Sequence, residues 1–157
     1  MLQNRNKKIY LTKEGLEKLE QELKDLTTNK RKEVALRIKE AKEFGDLSEN
    51  SEYEEAKNEQ AFIEGRIAEA QNILKNSVLI SNKGTSGKIS VGSKVTVEIA
   101  GELTEFIIVG STEADPMQGK ISNESPIGQA LLNRKEGEEV EIEVPAGKLI
   151  YKVKKIH

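Results

Sequence analysis

From Ala56 to Leu74 the seam positions of this chain recur in steps of 4, 3, 4, 3 and 4, through Gln60, Ile63, Ile67 and Ala70. That spacing suits an α-helix packed along one narrow stripe against a second helix. A matching stripe precedes it: Leu16, Leu19, Leu23 and Leu26, then Val34, Ile38 and Ala41. Its steps are threes and fours, apart from a polar gap around Lys30-Arg31-Lys32. Residues 12–76 contain no Pro, and only Gly15, Gly45 and Gly65 break the run of side chains. Thr12 is a good N-cap for the first helix. Ser51 with Glu54 fits a capping box that starts the second, whose seam begins at Tyr53. So short a connection predicts an antiparallel helical hairpin. With ~1.5 Å rise per residue, a first helix of about 30 residues would be roughly 45 Å long.

Composition agrees with this lean architecture. Charged residues make up 33% of the 157 and aromatics 4%, with no Trp. That is a poor supply for one large core and favours an elongated chain with modest burial. With 25 basic and 27 acidic residues the formal charge is −2, so attraction to nucleic acid must come from a local patch. The absence of Cys excludes disulfides and thiolate metal sites. No apolar run follows the N-terminus as a signal peptide would, and none approaches ~20 residues, so no membrane span and no membrane partner are expected. A cytoplasmic location follows.

Beyond Val78 the texture changes. Ser81-Asn82-Lys83-Gly84-Thr85-Ser86-Gly87 reads as a linker. Alternating, β-branched-rich segments follow at Lys94–Ile99, Leu103–Val109, Val140–Val144 and Leu149–Ile156. Pro145-Ala146-Gly147 reads as the turn between the last two. Ser125 caps a short helix that has Pro126 at its first position. The expected class is α+β in two domains. Residues 1–77 form the coiled-coil hairpin, with its tip at 44–52; residues 78–157 form an antiparallel sheet with one short helix.

Glu43 to Glu59 holds seven acids and one base, a sum of −6 at the hairpin end. Exposed carboxylates are ionised at neutral pH and repel one another unless a cation lies between them. Hard oxygen ligands suit Mg²⁺, which commonly takes one or two protein carboxylates besides phosphate and water. The same residues also fit a plainer use. Asp46 and Glu49, three apart, can be a capping pair, and Glu52, Glu54 and Glu55 fall in a first helical turn, where the dipole favours acids. Spacing alone leaves both readings open.

Gly45-Asp46-Leu47-Ser48-Glu49-Asn50-Ser51-Glu52-Tyr53 resembles the tip signature of the bacterial GreA/GreB transcript-cleavage factors. Leu11-Thr12-Lys13-Glu14-Gly15-Leu16-Glu17-Lys18-Leu19 resembles the opening of that family's first helix, and Gly65-Arg66-Ile67 its second. Ile121-Ser122-Asn123-Glu124-Ser125-Pro126-Ile127-Gly128 and the Pro145-Ala146-Gly147 turn resemble its C-terminal, FKBP-like domain. The resemblance covers essentially the whole chain.

It implies a monomeric transcription elongation factor that is not itself an enzyme. Such a factor inserts its hairpin into the secondary channel of backtracked RNA polymerase and stimulates the polymerase's own cleavage of the nascent RNA 3′ end. Asp46 and Glu49 would act in trans there and help hold a Mg²⁺ shared with the polymerase, the factor having no cofactor of its own. Lys42 and Lys57 match basic positions that contact the RNA, and both stand where Arg is common. Ser125, Pro126 and Ile127 would dock on the channel rim. Phe44, Ser48, Asn50 and Tyr53 would support the tip.

Each of these residues has a plainer alternative. The run Lys30-Arg31-Lys32, with Arg37, Lys39 and Lys42, also fits a solvated face with i, i+4 pairs such as Glu33 with Arg37. Tyr53 fits either the hairpin seam or a contact with a base or the polymerase, and Phe44 fits packing at the turn. Ser125–Ile127 fits a cap and core packing. His157, at the chain's end, suits no catalytic or metal role. Two other functions share the scaffold: an inhibitor that occupies the channel without cleavage, and a prolyl isomerase. The first is disfavoured by the intact Asp46-Leu47-Ser48-Glu49. The second is disfavoured by a C-terminal half whose only aromatics are Phe106 and Tyr151.

Overall fold

The computed structural model describes residues 8–45, 50–80 and 87–157. The chain divides into two compact units. One is Leu16–Asn76; the other takes both ends, Met1–Gly15 and Ser77–His157.

The first unit is the helical hairpin. Helix α1 spans Lys13–Asp25, α2 spans Arg31–Phe44 and α3 spans Asn50–Asn76. Val34, Ile63 and Ile67 are buried at its centre, with Leu23, Leu26 and Ile38 packed around them. Ala56, Ala70 and Ile73 extend the buried stripe of α3. The polar gap in the first stripe has a structural solution. Between α1 and α2 lies a π-helical turn, Leu26–Lys30. A heptad would step from Leu26 to residue 33, yet the next core residue is Val34. The π turn takes up the one extra residue, as π-bulges do, and returns Val34 to the seam. The Arg31 N–H donates to the Leu26 carbonyl five residues back. Thr27 Oγ1 donates to the Leu23 carbonyl at 2.8 Å and Thr28 Oγ1 to the Lys24 carbonyl at 2.6 Å, serving acceptors at the rim of that wider turn.

Ion pairs fix how the two arms align. Arg66 meets Glu22 through two bonds of 2.6 and 2.8 Å, Arg31 meets Glu64 through two of 2.7 Å, and Arg37 meets Glu59. Partner numbers fall as residue numbers rise, so the arms run antiparallel. Arg37 therefore pairs across the hairpin with Glu59 instead of with Glu33 on its own helix, and Glu33 takes Lys30.

These pairs predict a pH response. The Arg66 hydrogen bonds hold the Glu22 carboxyl below the ordinary glutamate range, and those of Arg31 do the same for Glu64. A carboxyl depressed in the folded state stabilises fully above its unfolded pKa and loses that contribution as pH falls through the folded one. The thermal midpoint of the hairpin, followed by helical circular dichroism, should therefore drop as pH is lowered below the ordinary glutamate range. Glu22→Gln should melt lower at pH 7 and show a smaller drop; equal drops would remove Glu22 from the account.

The second unit is built on two sheets. Strands β1 (Ile9–Leu11) and β2 (Ser77–Leu79) pair in parallel, Ile9 with Ser77 and Leu11 with Leu79. The larger sheet contains β3 (Lys94–Ile99), β4 (Glu102–Val109), β5 (Lys120–Ser122), β6 (Glu139–Val144) and β7 (Gly147–Ile156), in the order β5-β4-β3-β7-β6. It is antiparallel from β4 to β6. At β5 it becomes mixed, because the intervening segment turns back through two short 3-10 turns, Ser111–Glu113 and Pro116–Gln118, and β5 joins β4 in parallel. Alternation along the strands buries one face: Val95 and Val97, Val140 and Ile142, Tyr151 and Val153. Helix α4 (Pro126–Leu131) adds Ile127, Ala130 and Leu131 to that core. Ion pairs cross the other face, among them Lys154 with Glu98 at 2.6 Å and Lys94 with Glu105 at 2.8 Å.

Thr12 caps α1 as expected, its Oγ1 accepting the Gly15 N–H at 3.0 Å. Beneath it, Glu113 accepts the Thr12 N–H at 2.7 Å and the Thr12 hydroxyl. Glu113→Ala should cost about 1 kcal/mol, the usual net scale of a lost hydrogen bond. Urea denaturation of the two proteins checks this, and an unchanged midpoint would refute it.

Candidate functional site

Helix α2 stops because Gly45 adopts a left-handed conformation (φ 60°, ψ 4°), a common helix ending that other residues reach at a cost. Helix α3 begins at Asn50. It starts one residue before the expected cap, so Ser51 lies inside the helix. Asp46, Leu47, Ser48 and Glu49 lie between the two helices in sequence and outside the described residues. What the structure does define is the frame on either side of the two acids.

That frame is narrow and polar. The Lys42 ammonium sits over the Tyr53 ring, 5.8 Å from its centroid, so the last turn of α2 meets the first turn of α3. Tyr53 is half-buried, and Ala56, one turn further on, is fully buried. Phe44, assigned to packing at the turn, is 70% exposed. It borders a shallow depression with Arg37, Glu40, Ala41 and Glu52. Asn50 is exposed at the first position of α3. Lys57 is exposed one turn beyond Tyr53, and its Nζ donates to Gln60 Oε1 at 3.0 Å. Lys42 and Lys57 thus flank the acidic connection from both arms, each as a compact point charge. Among the described residues no group of three or more His, Cys, Asp or Glu could hold a metal ion.

The second set of expected site residues lies in the other unit. Ser125 Oγ donates to the Ser122 carbonyl at 2.7 Å and accepts the Gly128 N–H at 3.0 Å, a full N-cap for α4. Pro126 occupies the first helical position and is exposed, whereas Ile127 turns onto the core. Gly128 allows a close backbone approach. A Cβ there would overlap the Ser122 carbonyl oxygen and stand 3.1 Å from Asn123 Cα. Of the three residues, Pro126 alone is exposed to solvent.

Sequence reasoning missed two features of the hairpin. The cross-hairpin pairing of Arg31 and Arg37 with acids of α3 had no local signal. The Lys42–Tyr53 contact also joins two arms, and each residue had been read separately.

Family models match both parts of the chain. The N-terminal model of transcription elongation factors matches residues 9–79, and the C-terminal GreA/GreB transcription elongation factor model matches residues 84–157. The transcription elongation factor GreA of Acetivibrio thermocellus is 57% identical over 155 residues, covering 96% of this chain and 97% of that protein. GreA of Bacillus subtilis is 52% identical over 148 residues, covering 93% and 94%. Among solved structures, the GreA factor homolog 1 of Thermus thermophilus is 34% identical with a TM-score of 0.45, covering 96% of this chain and 99% of that one. No described helix is long and apolar enough to cross a membrane.

Proposed function

Because this chain belongs to the GreA/GreB family of transcription elongation factors, we propose that it acts on backtracked bacterial RNA polymerase. It enters the secondary channel with the end of its hairpin and stimulates the polymerase to cleave its own nascent RNA near the 3′ end. The observation that supports this reading is the long helical hairpin, whose two arms lead in sequence into the break that holds the two acids. Helix α3 alone has 27 residues, about 40 Å of helix at ~1.5 Å per residue. Asp46 and Glu49 precede its first residue, Asn50, in the sequence. Such an arm reaches a buried centre in another molecule, where a carboxylate on a globular surface would not.

Two carboxylates are a hard but incomplete donor set, which suits a Mg²⁺ also held by another protein. Asp46 and Glu49 would hold that ion jointly with the polymerase. When bound, it supplies charge neutralisation and a polarised water for phosphodiester hydrolysis. The chain's own residues do the rest. Asp46 and Glu49 would supply ionised oxygens to that ion and accept a hydrogen bond from the attacking water, so orienting it. Lys42 and Lys57 face the displaced RNA strand as phosphate contacts. On the other unit, exposed Pro126 with its capped neighbours Ser125 and Ile127 serves as the contact with the channel rim.

The test is a cleavage assay on purified polymerase halted in a backtracked state with 5′-labelled RNA. Added protein should shorten the RNA from its 3′ end and restore extension. Protein that binds the polymerase and leaves the RNA intact would replace this reading with that of a channel-occupying inhibitor.

A further inference from the structure

Four of the six basic residues from Lys30 to Lys42 already face carboxylates. Arg31 and Arg37 pair across the hairpin with Glu64 and Glu59; Lys30 pairs with Glu33 and Lys39 with Glu43. Those charges are neutralised where they stand. Lys42 is held in a different way. Its described partner is the face of the Tyr53 ring, which attracts a cation through its quadrupole and carries no counter-charge. A lysine side chain otherwise spreads over many rotamers, and ordering it costs free energy whenever it binds. We propose that Tyr53 is a positioning residue, whose ring pre-orders the Lys42 ammonium at the end of α2 and leaves its charge free for a phosphate of the RNA strand.

The inference rests on the proposed Lys42–RNA contact, and it assigns Tyr53 to neither of the roles first weighed for it. The ring does not have to meet a base, and its place on the seam is not its whole use. A carboxylate at position 53 would hold the ammonium as firmly but cancel the charge the RNA needs. The hydroxyl has no part in the argument, so Phe should serve as well as Tyr.

The experiment is a double-mutant cycle on the backtracked complex, reading cleavage efficiency and its salt dependence for Lys42→Met, Tyr53→Leu, Tyr53→Phe and Lys42→Met/Tyr53→Leu. Helical content and melting temperature are measured on each protein to exclude misfolding. Lys42→Met should lose efficiency and flatten the salt dependence by close to one counterion. Tyr53→Leu should lose about three-fold, the scale of an exposed cation–π contact, with a flatter salt slope; Tyr53→Phe should match the parent. In the Lys42→Met background, Tyr53→Leu should change nothing further. If Lys42→Met is silent in both readouts, the RNA contact itself is wrong and the positioning role falls with it. If Lys42→Met is costly but Tyr53→Leu is neutral, or costs the same in both backgrounds, the contact stands and the positioning role is overturned.

Discussion

Asp46→Asn and Glu49→Gln are each expected to reduce stimulated RNA cleavage by about a hundred-fold or more while polymerase binding is retained. The magnitude follows from what is removed: one of the two carboxylates proposed to keep a charge-offsetting Mg²⁺ at a centre where negative charge develops in the transition state. Loss of a single pre-organised group of that kind typically costs about 10²–10³ in rate, or about 3–4 kcal/mol. The amide variants are more informative than alanine. Asn caps a helix about as well as Asp, so Asp46→Asn preserves any capping role and removes the charge. A cap-only residue would leave cleavage intact in that variant. Competition against a labelled copy of the parent protein measures polymerase binding separately. If either variant cleaves like the parent, that carboxylate has no part in the reaction.

The second large effect is expected far from the hairpin. Gly128→Ala should destabilise the sheet-bearing unit by about 3 kcal/mol, at the upper end of the usual overpacking range. The methyl would overlap the Ser122 carbonyl and crowd Asn123 Cα. Both are backbone atoms of the segment that leads from β5 into α4, so neither can swing aside as a flexible side chain would. For a unit of this size the melting temperature should fall by roughly 15 °C. Gly65 provides the opposite case. It is exposed in the middle of α3, and a Cβ there meets nothing within 4 Å. Gly65→Ala should therefore raise hairpin stability by up to about 1 kcal/mol. Calorimetry on the two variants reads both signs, and a neutral Gly128→Ala would mean that β5 and α4 can move apart without loss.

The hairpin was legible because its signal is local. Three- and four-residue steps through Ile63, Ile67 and Ala70 reveal a buried stripe without knowledge of the partner. The long strands β3, β4, β6 and β7 were readable for the same reason, since alternation repeats several times within each. Strands β1, β2 and β5 have three residues apiece, too few to display a period, and what makes them strands is pairing with distant segments. The step of eight from Leu26 to Val34 was visible, but the π turn that absorbs it was not. Its cost is met by Thr27 and Thr28 hydroxyls whose usefulness depends on the widened turn itself. At the far end of α3 the seam drifts: Ile73 is buried and Leu74 only half-buried, because a helix of 3.6 residues per turn outruns a strict heptad. At the site, sequence located Lys42 and Tyr53 on opposite sides of the break. It gave no sign of their contact, which depends on how the two arms align.

The parallel pair β1–β2 has a consequence for the order in which the chain folds. Contacts between the hairpin arms span 22 residues for Arg37–Glu59, 33 for Arg31–Glu64 and 44 for Glu22–Arg66. Leu11 and Leu79 are 68 apart by subtraction of their numbers. Closing such a loop from an open coil is costly, although the cost grows only as the logarithm of length, by about 0.6 kcal/mol per doubling. Once the arms have zipped, each further contact closes only a short additional stretch, and β1 and β2 become the last teeth to engage. Their amides should gain protection from exchange after those of α2 and α3. The two short strands thus close the longest of these loops only after the chain between them has been shortened by its own helices.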